Sequence, residues 1–121
     1  MDGIKVYKEN AVTTQGRGRL VVLLYEGAIK FLKQALLDLQ LGDMAGKGRN
    51  IARAQDILYE LSSVLDIEQG GEIAANLRSL YNFMQRHLNQ ANLRKDEQMI
   101  QEVINLLEEL NQGWRGQSAG R

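Results

Sequence analysis

The sequence predicts an all-α protein: an antiparallel four-helix bundle preceded by a mobile N-terminal arm. Three observations lead there. The 121 residues contain no proline, where average usage of about 5% would give roughly six. Leu, Gln, Glu and Ala, all good helix formers, recur throughout. Apolar residues fall at helical spacing in four stretches separated by glycine-bearing breaks. The length suits one domain, and 44% apolar with 25% charged residues is a globular balance.

The arm spans 1–18 and carries few apolar groups: Ile4, Val6, Tyr7 and Val12. They are too few for a docked helix, but one buried aromatic contributes about 1.5–3 kcal/mol. Tyr7 can therefore cap the mouth of a groove; the alternative is a disordered arm with no role. Helices are expected at 19–41, 46–67, 71–94 and 97–114, with a flexible tail over 115–121. Asp43 and Asp96 are placed as N-caps, where a carboxylate accepts free amide protons of a first turn. The short links make neighbouring helices antiparallel.

The first helix is apolar over about 200° of its circumference. Leu20, Val21, Leu24, Tyr25, Ala28, Ile29, Phe31, Leu32, Ala35, Leu36 and Leu39 fill that arc, and Leu23, Leu37 and Leu41 lie outside it. Either this helix is central and touches both neighbours and the arm, or its surplus meets a partner. The second helix presents Ile51, Ala54, Ile57, Leu58, Leu61, Val64 and Leu65 over about 140°. The third presents Ile73, Leu77, Leu80, Tyr81, Met84, Leu88 and Ala91 over about 120°. Met99, Ile100, Val103, Leu106, Leu107, Leu110 and Trp114 form the fourth stripe.

Several function classes are disfavoured. A net charge of zero argues against a nucleic-acid or anionic-membrane surface, and Arg17 and Arg19 alone are too few for one. With no cysteine and one histidine, disulfides, Cys zinc sites and multi-His cages are absent. No signal peptide is visible, and no apolar run approaches bilayer length, so the expected location is cytoplasmic. Gly42-Asp43-Met44-Ala45-Gly46-Lys47-Gly48 fails as a phosphate loop. It has Leu41 where glycine is required and Gly48 where the Mg²⁺-binding hydroxyl belongs. His87 lacks the neighbours of a phosphotransfer histidine and reads as a partly buried structural residue. No Glu-x-x-His pair of the di-metal type is present. The chain is read as a non-enzyme without cofactors or metals. A helical signalling or adaptor module, such as a histidine phosphotransfer domain, is the alternative.

Tyr7, Val12-Thr13-Thr14, Leu20, Leu24-Tyr25-Glu26-Gly27-Ala28 and Phe31-Leu32 open a longer pattern. Ile51, Ala54-Gln55, Ile57 and Glu60-Leu61 follow, then Leu65-Asp66 and Gly70-Gly71-Glu72-Ile73-Ala74. Asn76-Leu77, Leu80-Tyr81, Phe83-Met84, Leu88, Ala91-Asn92, Asp96, Glu102-Val103, Leu110 and Trp114 complete it. In order and spacing this resembles the flagellin-specific export chaperones, the FliS family, over nearly the whole chain. One departure is Gln15-Gly16-Arg17, where the family commonly has Ala-Ser-Pro. Without the capping Ser and first-turn Pro, the first helix should start loosely.

The resemblance implies a cytoplasmic bundle that binds the disordered C-terminal segment of flagellin, prevents premature polymerisation and assists export. It also implies contacts with export-gate and flagellar regulatory proteins, and an N-terminal segment that covers part of the groove. The expected partner surface is apolar and lies between helices. Its candidates are Leu20, Leu24, Ile51, Ala54, Leu58, Leu61, Tyr81, Met84 and Leu88, with Tyr7 and Val12 from the arm. The nine bundle residues equally suit a plain core.

Overall fold

The computed structural model describes residues 17–65 and 67–119, and side chains within 18–65 and 70–116. Four helices follow in chain order: α1 (Arg17–Gln40), α2 (Met44–Ser63), α3 (Ile67–Arg94) and α4 (Glu97–Ala119). No strand occurs among the described residues. The all-helical expectation holds. The arm from 1 to 16, with Tyr7 and Val12, lies outside the described residues, as do Asp66 and the last two positions.

Cross-helix contacts fix the directions. Along α1, Glu26, Lys33 and Gln40 pair with Arg115, Glu108 and Glu97 of α4 in descending order. Lys47 and Gln55 of α2 likewise meet Asn92 and Gln85 of α3. Neighbours therefore run antiparallel. α1 packs on α2 and α4, and α3 packs on the same two, so α1 and α3 are diagonal. The α1–α2 contact is the most extensive. Ala28, Ala35 and Ala54 are fully buried, and a Cβ at Gly27 would lie 3.1 Å from Ile57 Cδ1. Small residues let these two backbones approach closely.

Two of the links close one helix and open the next. After α1, Asp43 N–H donates to Asp38 C=O (2.8 Å) and Gly42 N–H to Leu39 C=O (3.1 Å). This is a Schellman turn, with Gly42 at φ +83° in the left-handed position. Asp43 then accepts from Gly46 N–H at 2.9 Å and caps α2. The link after α3 repeats the scheme. Asp96 N–H donates to Ala91 C=O (3.0 Å), and Asp96 Oδ1 accepts from Met99 N–H (3.2 Å). Here, however, the left-handed residue is Lys95, at φ +54°. Both expected aspartate caps are thus in place.

Helix ends differ from expectation. α1 starts at Arg17, two residues early, so the arm is shorter than 1–18. α2 starts at Met44, because its cap is Asp43, and stops at Ser63, before the expected 67. α3 starts at Ile67 and passes a kink at Gly71 (φ +55°, ψ −128°), the residue expected to begin it. α4 continues past 114 to Ala119, so most of the expected tail is helical, and Arg115 on this extension pairs with Glu26.

The α1–α2 corner carries a buried polar network. Asp38 accepts from Gln34 Nε2 and Asn50 Nδ2, both at 2.8 Å. A Cβ on Gly46 would lie 2.5 Å from Asp43 Oδ2 and 2.9 Å from Asp38 Oδ2, so a side chain there would displace the capping and network carboxylates. Lys47 is buried, and its Nζ donates to Asn92 C=O at 3.0 Å, placing a positive charge at the C-terminal end of α3.

Candidate functional site

The nine bundle residues expected at a partner groove all lie in the core. Leu20, Leu24, Ile51, Ala54, Leu58, Leu61, Tyr81, Met84 and Leu88 are 0–7% exposed. In the free protein they pack against one another and close the bundle on itself. Tyr7 and Val12 fall outside the described residues.

At the centre, Tyr25 of α1 and Tyr81 of α3 reach across the diagonal. Their hydroxyls are 2.6 Å apart, and the rings meet edge to face at 6.3 Å and 74°. Burial raises the pKa of Tyr25, partly offset by hydrogen bonding from Tyr81 and Trp114. Burial raises Tyr81 further, with Tyr25 acting in the same direction. Both phenols stay neutral and bonded to each other, which suits a structural pin.

The outer surface carries large apolar side chains instead. Leu23, Leu37, Leu41, Tyr59, Ile73, Phe83 and Leu93 are 39–77% exposed. Leu23 and Leu37 are surplus on α1, and Leu41 lies in the turn just past its end. That helix does touch two neighbours, and its excess still faces outward. Ile73 was expected in the stripe of α3 and is 73% exposed, whereas its neighbour Ala74 is buried. Tyr59 and Leu93 went unnoticed. Their only signal is that each is a large apolar residue off its helix's buried arc. Leu77, Leu80, Leu106, Leu110 and Trp114 are half-buried along α3 and α4.

Between α1 and α4 runs a shallow groove of about 710 Å³, lined by Glu26, Ile29, Leu37, Asn111 and others. The Glu26–Arg115 pair and Lys33–Glu108 (3.1 Å) span it. These pairs are exposed and hold it weakly. Asn111 is buried, and its Oδ1 takes no hydrogen bond within the protein.

His87 is partly buried, as expected, with an 18% exposed side chain. Its Nε2 lies 2.6 Å from Glu102 Oε1, and its ring stacks on Phe83 at 4.9 Å. A histidine held on both sides is poorly placed to accept a phosphoryl group. Among the described residues no three His, Asp or Glu side chains cluster as a metal site, and no helix is long and apolar enough to cross a membrane. What the surface offers is apolar contact on several helices.

The family model for flagellar protein FliS matches residues 2–120. The chain is 42% identical over 118 residues to the flagellar secretion chaperone FliS of Salmonella typhimurium, covering 93% of this chain and 87% of that one. It is 36% identical over 115 residues to its counterpart in Vibrio cholerae (92% and 85% covered). It is 33% identical over 109 residues to that of Bacillus subtilis (90% and 80% covered).

Proposed function

The chain belongs to the FliS family, and from that premise we propose that it is a cytoplasmic, non-enzymatic chaperone of flagellin. It binds the disordered C-terminal segment of flagellin, keeps it from polymerising early and hands it on for export and filament assembly. Export-gate and flagellar regulatory proteins are further partners on the same reading.

The observation that carries this reading is the distribution of exposed apolar side chains. They stand on α1, α2 and α3, and toward both ends of the bundle, around a sealed core. A compact partner would match one contiguous patch. A chain that folds as it binds can lay apolar residues along several faces in turn. Such coupled folding spreads contact widely while keeping affinity moderate, which suits a cargo that must be released.

Titration calorimetry of the full chain with a flagellin C-terminal peptide tests this. Saturable binding with a negative heat-capacity change is expected. No saturable heat, or equal heat with a scrambled peptide, refutes it. Leu37→Glu and Leu93→Glu should each weaken binding by about 1 kcal/mol, roughly fivefold, with unchanged thermal stability.

A further inference from the structure

The two halves of α3 are held very differently. From 81 to 92, Tyr81, Met84, Leu88 and Ala91 are buried, whereas from 71 to 80 only Ala74 is. Among the described residues, the polar ties of α3 to its neighbours also all come from its second half. Tyr81 binds Tyr25, Gln85 and Asn89 bind Gln55, His87 binds Glu102, and Asn92 receives Lys47. The stretch 71–80 begins at the kink, where Gly71 sits in a backbone conformation that residues with a Cβ rarely adopt. Few buried apolar contacts and a helix break at one end are the marks of a locally opening segment.

Apolar residues gather at the same end of the bundle. Leu20 stands near the start of α1, Leu61 near the end of α2 with Val64 and Leu65 just past it, and Leu110 and Trp114 near the end of α4. We propose that residues 71–80 form a lid. Local unwinding of this half-helix, next to the kink at Gly71, uncovers that apolar end for the flagellin segment while 81–92 stay in place. This rests on the flagellin reading above. It also lets two buried residues, Leu20 and Leu61, meet a partner, whereas Ile51 and Leu88 remain sealed beside the polar ties.

Two measurements on the full chain decide it. Native-state hydrogen exchange should show amides of 72–80 exchanging at least about 100-fold faster than those of 84–91. Even protection along α3 overturns the lid, whatever the partner does. The second measurement pins the lid. Asn76 lies eleven residues before His87 and Gly113 eleven after Glu102. Eleven residues make about three helical turns, so both sit on the row that already joins α3 to α4. Asn76 and Gly113 are exposed, and Gly113 has open space for a Cβ.

The chain has no cysteine, so Asn76→Cys with Gly113→Cys can be joined by a disulfide or a short bis-maleimide. The linked protein should lose at least about tenfold in peptide affinity, and acrylamide quenching of Trp114, the only tryptophan, should fall. The unlinked double variant should match the parent in both. Equal binding by linked and unlinked protein refutes the lid and leaves the flagellin reading standing. If neither form binds, the flagellin reading fails, and the exchange pattern alone decides whether the lid opens.

Discussion

Removing one hydroxyl from the Tyr25–Tyr81 pair should destabilise the bundle more than removing both would suggest. The rings are 0–1% exposed and meet edge to face, so Tyr→Phe keeps the packing and deletes only the polar contact. Tyr25→Phe leaves the Tyr81 hydroxyl buried without its partner, which costs about 1–3 kcal/mol. Tyr81→Phe should likewise cost about 1–3 kcal/mol, because it leaves the Tyr25 hydroxyl buried without its partner. The double substitution strands no tyrosine hydroxyl, so its loss should fall short of the summed singles by about 1 kcal/mol. Urea denaturation of the four proteins, at a common m value, gives the cycle directly. Additive losses, each under about 0.5 kcal/mol, would refute the claim that the pair is a desolvated hydrogen bond.

The same pair sets an alkaline limit. Both pKa values are raised in the fold, so the unfolded chain loses its phenolic protons first. Stability is full below the ordinary tyrosine pKa of about 10 and falls above it by about 1.4 kcal/mol per pH unit for each tyrosine. Denaturation midpoints from pH 8 to 11 check this, and a flat profile would contradict it. Lys95→Gly should stabilise by about 1 kcal/mol by relieving a side chain at positive φ, and Gly42→Ala should destabilise by about as much. Thermal melts that move in the same direction would sink that pair of predictions. If Tyr7 and Val12 contact the partner, saturating flagellin peptide should change amide exchange from Val6 to Val12; unchanged rates would remove both from the site.

Helix count, order and caps were legible because each has a local signal. An apolar arc marks a helix, and an aspartate ahead of one marks its start, as Asp43 and Asp96 show. The kink was half legible. Gly70-Gly71 announced a break, but nothing local says that the helix expected from 71 already begins at Ile67, ahead of it. The site was hardest, because periodicity tells which face is apolar and not whether another helix covers it. Leu58 and Leu61 therefore fitted groove and core equally, and in the free protein both are buried. Leu23, Leu37 and Leu41 could be read as surplus only because they exceed what one helix can bury. The His87–Glu102 contact joins different helices and has no sequence signature.

Asp43 and Asp96 each belong to two helices at once, and this restricts how the chain can change in length. One extra residue at either link would separate the amide that ends the first helix from the carboxylate that begins the second. Two sets of helix-end hydrogen bonds would loosen together, and the register of the whole hairpin would rotate by about 100°. Insertions and deletions that preserve the bundle should therefore avoid both of these links.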